Sequence, residues 1–415
     1  MNGTAHPIIL RGAIASLPEP LGTMLASAEA RLPEVANYPD IFDDPTRPEA
    51  KKDAVDADWR RFCVFPENLA GRCLHMWPHP NTEQAMWSPV TEHWASQAVE
   101  AWRGDDLPGF IKFIGCLSHF FGDMTQSAHL VDLKLLAELV PTPASKAGFH
   151  YHTDLEAVTG ACGPLRPPRL LGLSVPEIAW RTAAATTRAM RASRQYIVPI
   201  IQALFSDDKS EAEAQAGPPV TAAAQITADV VYSVWRLATG DIPLAERQEL
   251  ASVDLRTWPP DEARHDSVYG DAILDGNRNT PPSGAPIVPA RLRFADGSVR
   301  SVKGLGVLPH SGMCGPRECW MRFGIPPGVF DRFETQVGMH ADLTVDGAVV
   351  FIVELDGREV FRSGRRTVAD PAMPLCIPLG SSTSLTLKVE DANGAKTFWN
   401  NHAFWANPTI IRKPL

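Results

Sequence analysis

The spacing of the apolar residues changes once along this chain, near Gly240. Before it, apolar side chains recur every three or four residues, as in SVPEIAWRTAAATTRAMRASRQYIVPIIQALF, which indicates amphipathic helices. After it, short runs such as AVVFIVELDGREVFRSG alternate apolar and polar residues around AspGly or AsnGly, which is typical of antiparallel hairpins. Since the two patterns form different kinds of layer, the 415 residues predict two domains, an all-α domain at 1–245 and an all-β sandwich of the jelly-roll type at 246–415.

Capping and helix-breaking residues divide the helical half further. The run GDDLP at 104–108 separates two helices, Ser174 and Pro176 begin another, and Gly240 ends the last one. The polar, low-complexity run DDKSEAEAQAGPP at 207–219 predicts a linker. Asp40, in the acidic run NYPDIFDD, is predicted to lie in a loop.

The stretch GCLSHFFGDMTQSAH at 115–129 is rich in side chains that bind metals. His119 and Asp123 are four residues apart, so on a helix they share one face. His129 follows six residues after Asp123, which is too far round an ideal helix for the same ion and close enough for a neighbouring ion. Imidazole and carboxylate are ligands of zinc sites that keep a position for water, and one carboxylate has two oxygens for two cations. The stretch therefore predicts a cluster of metal ions, against the plainer reading of a buried helix with satisfied histidines.

Further residues of the same types lie on both sides of this stretch. His6 stands at the start of the first predicted helix, and His75 and His79 lie in the irregular run CLHMWPHPNTE. Each of them is a possible ligand, although a single histidine at the end of a helix is usually structural.

Two overlapping pairs compete in GFHYHTDLEAV, which follows the metal-ligand stretch. His150 with Asp154 and His152 with Glu156 have the same spacing of four residues. We prefer the second pair because its register puts apolar residues beside the carboxylate, where a helix packs on the core.

Charge and composition narrow the classes of function. A net charge of −9 and a pI of about 5.8 argue against a protein held on nucleic acid by a basic surface, but they do not exclude a nuclease that binds through metals. The seven cysteines include two pairs close in sequence, Cys63 with Cys73 and Cys314 with Cys319. Each pair is equally consistent with a disulfide and with two free thiols.

The helical half resembles the zinc-dependent phospholipase C family, which includes the bacterial alpha-toxins, and more distantly the fungal single-strand nucleases of the same fold. The matching phrases are GTAHPII, NYPDIFD, LHMWP, HFFGDMTQSAH and HTDLE, and they occur in the family's order over residues 1–240. The resemblance implies up to three zinc ions and these ligands: Met1 through its amine, His6, Asp40, His75, His119, Asp123, His129, His152 and Glu156.

The resemblance also implies how the ligands are shared. Asp123 would bridge two neighbouring ions, and Asp40 would serve as the general base as well as a ligand. One departure is that the family begins with a tryptophan whose amine and carbonyl chelate zinc, whereas this chain begins with Met1. Since the tryptophan side chain is not the ligand, methionine can replace it.

The β half resembles the novel putative carbohydrate-binding module (NPCBM) family. The matching phrases are VKGLGVLPHS, FETQVGMH, VVFIVELDGREVFRSG, LTLKVEDANG and NHAFWANPTI. Such modules hold sugars by stacking them on aromatic rings and by hydrogen bonds from loops. The candidate sugar-binding residues are His310, Trp399, His402, Trp405 and Asn407, although Trp405 also suits a core position.

Together these resemblances imply a zinc-dependent phosphodiesterase of the phospholipase C type, directed to a glycan-coated surface by its second domain. We expect a secreted monomer that touches membranes peripherally and acts on a phospholipid rather than a nucleic acid. Two alternatives stay open: a single-strand nuclease of the same fold, and a glycan-binding protein whose metal domain is not catalytic.

Overall fold

The computed structural model describes residues 5–44, 46–63, 87–264, 273–274, 276–278, 287–309, 317–342, 347–392 and 401–414. The chain divides into two compact units, Met1–Arg247 and Gln248–Leu415. The sequence placed the boundary after residue 245. The predicted fold class, a helical half followed by an antiparallel β-sandwich, is confirmed.

Helices account for nearly all of the regular structure before the first strand. The α-helices in the described residues are α1 (Ala5–Ala15), α2 (Leu21–Ala26), α3 (Leu32–Val35), α4 (Tyr38–Asp43), α5 (Glu49–Val55), α6 (Trp87–Arg103), α7 (Leu107–Thr125), α8 (Leu133–Leu139), α9 (Tyr151–Glu156), α10 (Val175–Ser193), α11 (Ile197–Phe205), α12 (Lys209–Thr239) and α13 (Leu244–Glu249). None of these described helices is both long and apolar enough to cross a membrane.

Helix α7 is the centre of the helical unit. Apart from Lys112, its side chains are buried from Gly109 to Thr125, and it packs against α1, α3, α4, α6, α10 and α12. The side chain of Asp106 caps its first turn by accepting a hydrogen bond from the Gly109 amide at 2.9 Å. At Gly115 a Cβ atom would lie 2.7 Å from the Val35 carbonyl oxygen, so this glycine lets α3 approach closely.

The predicted helix ends are confirmed at three places. GDDLP separates α6 from α7, Ser174 accepts a hydrogen bond from the Glu177 amide at the start of α10, and Gly240 follows α12 with a φ of 74°. These contacts are local, so the sequence alone specifies them.

Two predicted irregular segments are in fact helical, so those predictions are wrong. The expected linker at 207–219 forms the first turns of α12, which is capped by Asp208 and buries Ala212, Ala216 and Pro219. The alanines and glutamates there are good helix formers. The buried residues form an apolar stripe, and its packing on the core offsets the conformational entropy lost when the segment becomes helical. The expected loop around Asp40 is the short helix α4, in which Pro39 occupies the first turn.

The extended segment after α9 is fixed along α12. Four of its backbone amides, from Gly163 to Leu171, donate hydrogen bonds of 2.8 to 2.9 Å to side chains of α12. The acceptors repeat every four residues along one stripe of α12, and they are Thr221, Gln225, Asp229 and Ser233. We call this arrangement the strap, residues 163–171.

The second unit consists of short antiparallel strands. Those in the described residues are β1 (Ser252–Asp254), β2 (Glu262–Arg264), β3 (Ile273–Leu274), β4 (Gly276–Arg278), β5 (Ile287–Pro289), β6 (Arg291–Arg293), β7 (Val299–Ser301), β8 (Gly304–Val307), β9 (Glu318–Gly324), β10 (Phe330–Met339), β11 (Ala348–Leu355), β12 (Arg358–Arg362), β13 (Arg366–Thr367), β14 (Met373–Pro378), β15 (Ser384–Asp391) and β16 (Ala403–Arg412).

Two six-stranded sheets form the sandwich. One has the order β14-β10-β16-β8-β3, with β1 also paired to β16, and the other has the order β12-β11-β15-β9-β2, with β13 paired to β11. Phe351 of β11 meets Trp405 of β16 edge to face, with ring centroids 5.3 Å apart, so the core lies between the sheets. The turn between β11 and β12 is Asp356-Gly357, and both residues have positive φ, as a tight hairpin requires.

Candidate metal centre

Helix α7 places His119 and Asp123 on one buried face, as the spacing predicts. Nε2 of His119 lies 3.2 Å from Oδ2 of Asp123, and both side chains are almost fully buried. Nδ1 of His119 lies 2.8 Å from the Ala36 carbonyl oxygen. Because a carbonyl only accepts, Nδ1 carries the proton and donates it there, which leaves the Nε2 lone pair of neutral His119 directed at Asp123.

Helix α4 brings Asp40 to the same histidine. Its Oδ1 lies 3.5 Å from Nε2 of His119, and 29% of its side-chain surface is exposed. Asp40 is therefore the carboxylate of this group that water reaches most easily.

Helix α1 brings His6 to the other side of Asp123. Its Nε2 lies 3.5 Å from Oδ1 of Asp123, and its ring stacks on that of His119 with centroids 3.9 Å apart. Gly122 makes this approach possible, because a Cβ atom at that position would lie 2.7 Å from Nδ1 of His6. His6, His119 and Asp123 thus form one group whose candidate ligand atoms lie within 4.8 Å of one another.

His129 reaches the cluster because α7 stops before it. The helix ends at Thr125, and Gln126 accepts a hydrogen bond from the Ala128 amide at 3.0 Å, which stabilises a 3₁₀ turn over Ser127–His129. Gln126 also donates to the Leu155 carbonyl oxygen at 2.9 Å and so ties this turn to α9. As a result Nε2 of His129 lies 3.9 Å from Oδ1 of Asp123.

Helix α9 completes a second group, in the register that the sequence favoured. Oε1 of Glu156 lies 2.9 Å from Nε2 of His129 and 3.4 Å from Nε2 of His152, and these three residues also converge within 4.8 Å. The competing pair has another use. The His150 side chain accepts from the Thr153 amide as the N-cap of α9, and Asp154 accepts from the His150 amide at 2.6 Å.

The charges in the cluster favour a cation. Burial lowers the pKa of His119, but the carboxylates of Asp123 and Asp40 outweigh it and raise this pKa to about 10. Burial likewise raises the pKa of Asp123, but the neighbouring imidazoles hold it far below its usual range. Burial lowers the pKa of His129, but Glu156 and Asp123 outweigh it, so the pKa of His129 is raised overall. At His152 burial is the largest effect, and the pKa is lowered. Asp123 is therefore an anion at neutral pH, and protons compete with a metal for the histidines.

The donor set suits zinc. Ligands about 2.0 to 2.2 Å from a tetrahedral ion lie about 3.3 to 3.6 Å from each other. His6–Asp123, His119–Asp123, His119–Asp40 and His152–Glu156 have N···O distances of 3.5, 3.2, 3.5 and 3.4 Å. Most of these four distances exceed the usual length of a good N–H···O hydrogen bond and match the edge of a zinc coordination tetrahedron, whereas His129 lies 2.9 Å from Glu156, at hydrogen-bond distance, and 3.9 Å from Asp123.

Other predicted ligands cannot be placed. Met1 and His75 lie outside the described residues, as do the sugar-binding candidates His310 and Trp399.

Two sugar-binding predictions are wrong. Trp405 is fully buried between the sheets and His402 is 1% exposed, so neither offers a ring face to a sugar. Trp405 lies on the face of β16 that meets the other sheet, where it packs against Phe351, and His402 lies next to the buried start of this strand. Asn407 is exposed, with a φ of 49° at an irregular point of β16.

The sequence reasoning missed three residues that shape the centre: Ala36, Gly122 and Gln126. The Ala36 carbonyl accepts from His119, and Gly122 leaves room for the His6 ring. The Gln126 side chain caps the turn that carries His129. Gly122 alone left a signal, as a glycine inside an otherwise apolar helical pattern.

A family model identifies most of the second unit. The NPCBM/NEW2 domain model matches residues 294–411. These residues are an NPCBM domain. The domain runs from just before β7 into β16, and the resemblance predicted for the β half is confirmed.

Solved structures show likeness at low identity. A CBM51 domain of Clostridium perfringens GH95, solved with methyl-galactose, is 22% identical with a TM-score of 0.31 and covers 38% of this chain and 99% of that one. The CBM51-2 and INT domains of Clostridium perfringens ZmpB are 24% identical with a TM-score of 0.30, over 39% of this chain and 31% of that one. Alpha toxin from Clostridium absonum is 10% identical with a TM-score of 0.35 over 99% of both chains.

All three TM-scores are below 0.5, so these likenesses do not extend the family assignment beyond the NPCBM domain. The match with this chain covers about a third of the ZmpB structure, so the activity of that longer protein is not assigned to this chain. No protein with a curated description matches this chain.

Proposed function

We propose that the helical unit is a zinc-dependent phosphodiesterase of the phospholipase C type. The observation that carries this proposal is the position of Asp123, whose Oδ2 faces His119 while its Oδ1 faces His6 and His129. One buried carboxylate thus offers one oxygen on the side of His119 and the other on the side of His6, as a bridge between two neighbouring cations would. When bound, zinc would polarise phosphate oxygens and lower the pKa of a bound water.

The remaining residues have separable roles. His6, His119 and Asp123 would hold the first group of ions, and His129, His152 and Glu156 would hold a third ion, with Met1 and His75 as further ligands. Three protein ligands leave a coordination position for water or substrate, whereas a structural zinc site normally uses four. Asp40, whose side chain is partly exposed next to His119, would accept a proton from an attacking water.

The substrate proposed is a phospholipid. Support comes from the Tyr-Pro-Asp motif at 38–40, which the resemblance associates with the phospholipase branch. The net charge of −9 also disfavours a polyanionic nucleic acid, because its affinity would fall with each repelled phosphate.

The NPCBM domain would direct the enzyme to glycans. A solved CBM51 domain that this chain resembles contains methyl-galactose, and we propose a sugar ligand for residues 294–411 as well. A secreted monomer acting at a glycan-coated surface is consistent with these parts.

The test measures zinc by elemental analysis together with hydrolysis of phosphatidylcholine and of single-stranded DNA. We expect two to three zinc ions per chain, hydrolysis of the lipid, and loss of turnover in chelator. Asp123→Ala should lose zinc from both sides of the bridge and most activity, while Asp207→Ala, at a carboxylate with 84% side-chain exposure, should change neither. Cleavage of DNA alone would identify the nuclease, and zinc without any hydrolysis would leave a glycan-binding protein with a non-catalytic metal domain.

A further inference from the structure

Helix α8, which begins four residues after His129, exposes an apolar ridge. Five large apolar side chains are strongly exposed in the described residues, and they are Leu135, Leu139, Val198, Leu244 and Val360. Only Leu135 and Leu139 share a helix. They are 53% and 71% exposed and lie four residues apart, so they form one ridge, whereas Leu136, about 100° round the helix from Leu135, is buried.

Hydrogen bonds connect this leucine ridge to the second ligand group. The hydroxyl of Tyr151 donates to the Val140 carbonyl, directly after α8, and accepts from Thr142 at 3.2 Å. Tyr151 precedes His152 in α9. At the other end, α8 begins four residues after His129. The helix that bears the ridge is therefore joined at one end to the turn that carries His129, and at the other end to α9, which carries His152 and Glu156.

The size of the ridge indicates what kind of surface it meets. Two leucine side chains offer roughly 100 to 250 Å² of apolar surface. A stable protein interface buries about 800 Å² on each partner, so the ridge is too small for one. Partial insertion into the headgroup region of a bilayer needs no such area, because each apolar side chain that leaves water contributes separately.

The charged residues of α8 favour a zwitterionic over an anionic lipid surface as the partner of the ridge. Asp132 caps α8, and Lys134 and Glu138 lie on it, which gives one positive and two negative charges. An anionic bilayer would attract a basic patch and would repel this helix and a chain of net charge −9. Zwitterionic headgroups carry both signs and impose no such penalty.

We propose that Leu135 and Leu139 dock the helical unit onto a zwitterionic phospholipid surface, so that lipid in an aggregate is presented to the metal centre. This inference rests on the proposed phospholipase activity and adds the physical state of the substrate. The contact is weak and reversible, as expected for two side chains, and it acts on substrate access rather than on the chemistry.

The test uses the zinc-loaded full chain and the double variant Leu135→Ser with Leu139→Ser. Binding is measured by sedimentation with vesicles of a non-hydrolysable phosphonate analogue of phosphatidylcholine. Hydrolysis is measured on phosphatidylcholine vesicles and on short-chain phosphatidylcholine below its critical micelle concentration. Leu244→Ser is the matched control, because Leu244 is 68% exposed in a different helix.

We expect the double variant to lose at least ten-fold in vesicle binding and in vesicle hydrolysis, with unchanged zinc content and unchanged hydrolysis of the monomeric lipid. The control should match the wild type in all four measurements. Equal vesicle binding by the double variant and the wild type overturns the proposal, as does a ridge-dependent dimer in sedimentation equilibrium. Ridge-dependent binding without hydrolysis of either lipid would instead overturn the proposed phospholipase and leave the docking surface intact.

Discussion

Gly122 of α7 lies directly against the imidazole of His6 in α1. A Cβ atom at Gly122 would come 2.7 Å from Nδ1 and 3.1 Å from Cε1 of this ring. His6 has little room to yield, because its other side stacks on His119 with centroids 3.9 Å apart. The absence of a side chain at one position therefore determines whether a candidate ligand reaches Asp123.

Gly122→Ala should displace His6 and weaken metal binding at the His6, His119 and Asp123 group. We expect loss of about one zinc ion per chain and at least a ten-fold drop in hydrolysis, measured by elemental analysis and steady-state kinetics. Gly148→Ala is the control, since a Cβ there meets nothing within 4 Å. Full zinc content in Gly122→Ala would show that the imidazole moves without cost to the site.

The neighbouring histidines of α9 should respond differently to the same substitution. His152→Ala should remove a ligand and release one zinc ion. His150→Ala should keep the zinc and cost about 0.5 to 2 kcal/mol of stability, because it removes the cap on the Thr153 amide. Zinc titration and urea unfolding of both variants measure this, and the opposite pattern would assign the ligand role to His150 and Asp154.

Asp229 of α12 should be the most important hydrogen-bond acceptor for the strap. Asp229 is 4% exposed. Its carboxylate accepts hydrogen bonds from the Arg166 guanidinium and, at 2.9 Å, from the Arg169 amide. Asp229→Ala leaves these donors without their acceptor and should cost about 1 to 3 kcal/mol in the free energy of unfolding. Asp241→Ala is the control. It removes an ion pair with Arg236 in which the Asp241 side chain is 82% exposed, so it should lower the free energy of unfolding by less than about 1 kcal/mol in the same urea titration. Similar losses for both would mean that the strap contributes little.

Residues 250–415 expressed alone should fold and bind a sugar, because the two sheets enclose their own apolar core. A glycan array and thermal unfolding of this fragment test it. Asn407→Asp, at the exposed candidate on β16, should weaken sugar binding without lowering the melting temperature, because aspartate tolerates the positive φ of this position as asparagine does. A folded fragment with no hit on the array would make the domain a structural appendage.

A free amine at Met1 should complete the zinc site that contains His6. An α-amine has a pKa near 7.7 to 8.0, and a nearby cation favours its deprotonated form, which alone can be a ligand. Extension of the chain by several residues before Met1 should therefore lower zinc content and rate, while the same extension after Leu415 should not. Equal zinc content and rate for the two extended proteins would show that Met1 is not a ligand.

Local patterns determined much of this protein. The change from helical to alternating periodicity near Gly240 fixed the class of each half, and the caps at Ser174 and Gly240 fixed helix ends, because these interactions lie within a few residues. The same locality placed His119 beside Asp123 on one face of α7. A spacing of four residues on a helix needs no tertiary information.

Only the tertiary structure decided which distant residues come into contact. His6, Asp40 and His129 reach Asp123 or His119 through the packing of α1 and α4 on α7 and through a turn after Thr125, and no local rule specifies those approaches. Packing also made 207–219 part of a helix, because burial of its apolar stripe outweighs a polar composition. Trp405 is in the core for a similar reason: its side of β16 faces the other sheet, so an aromatic ring that sequence reasoning offered to a sugar packs against Phe351 instead.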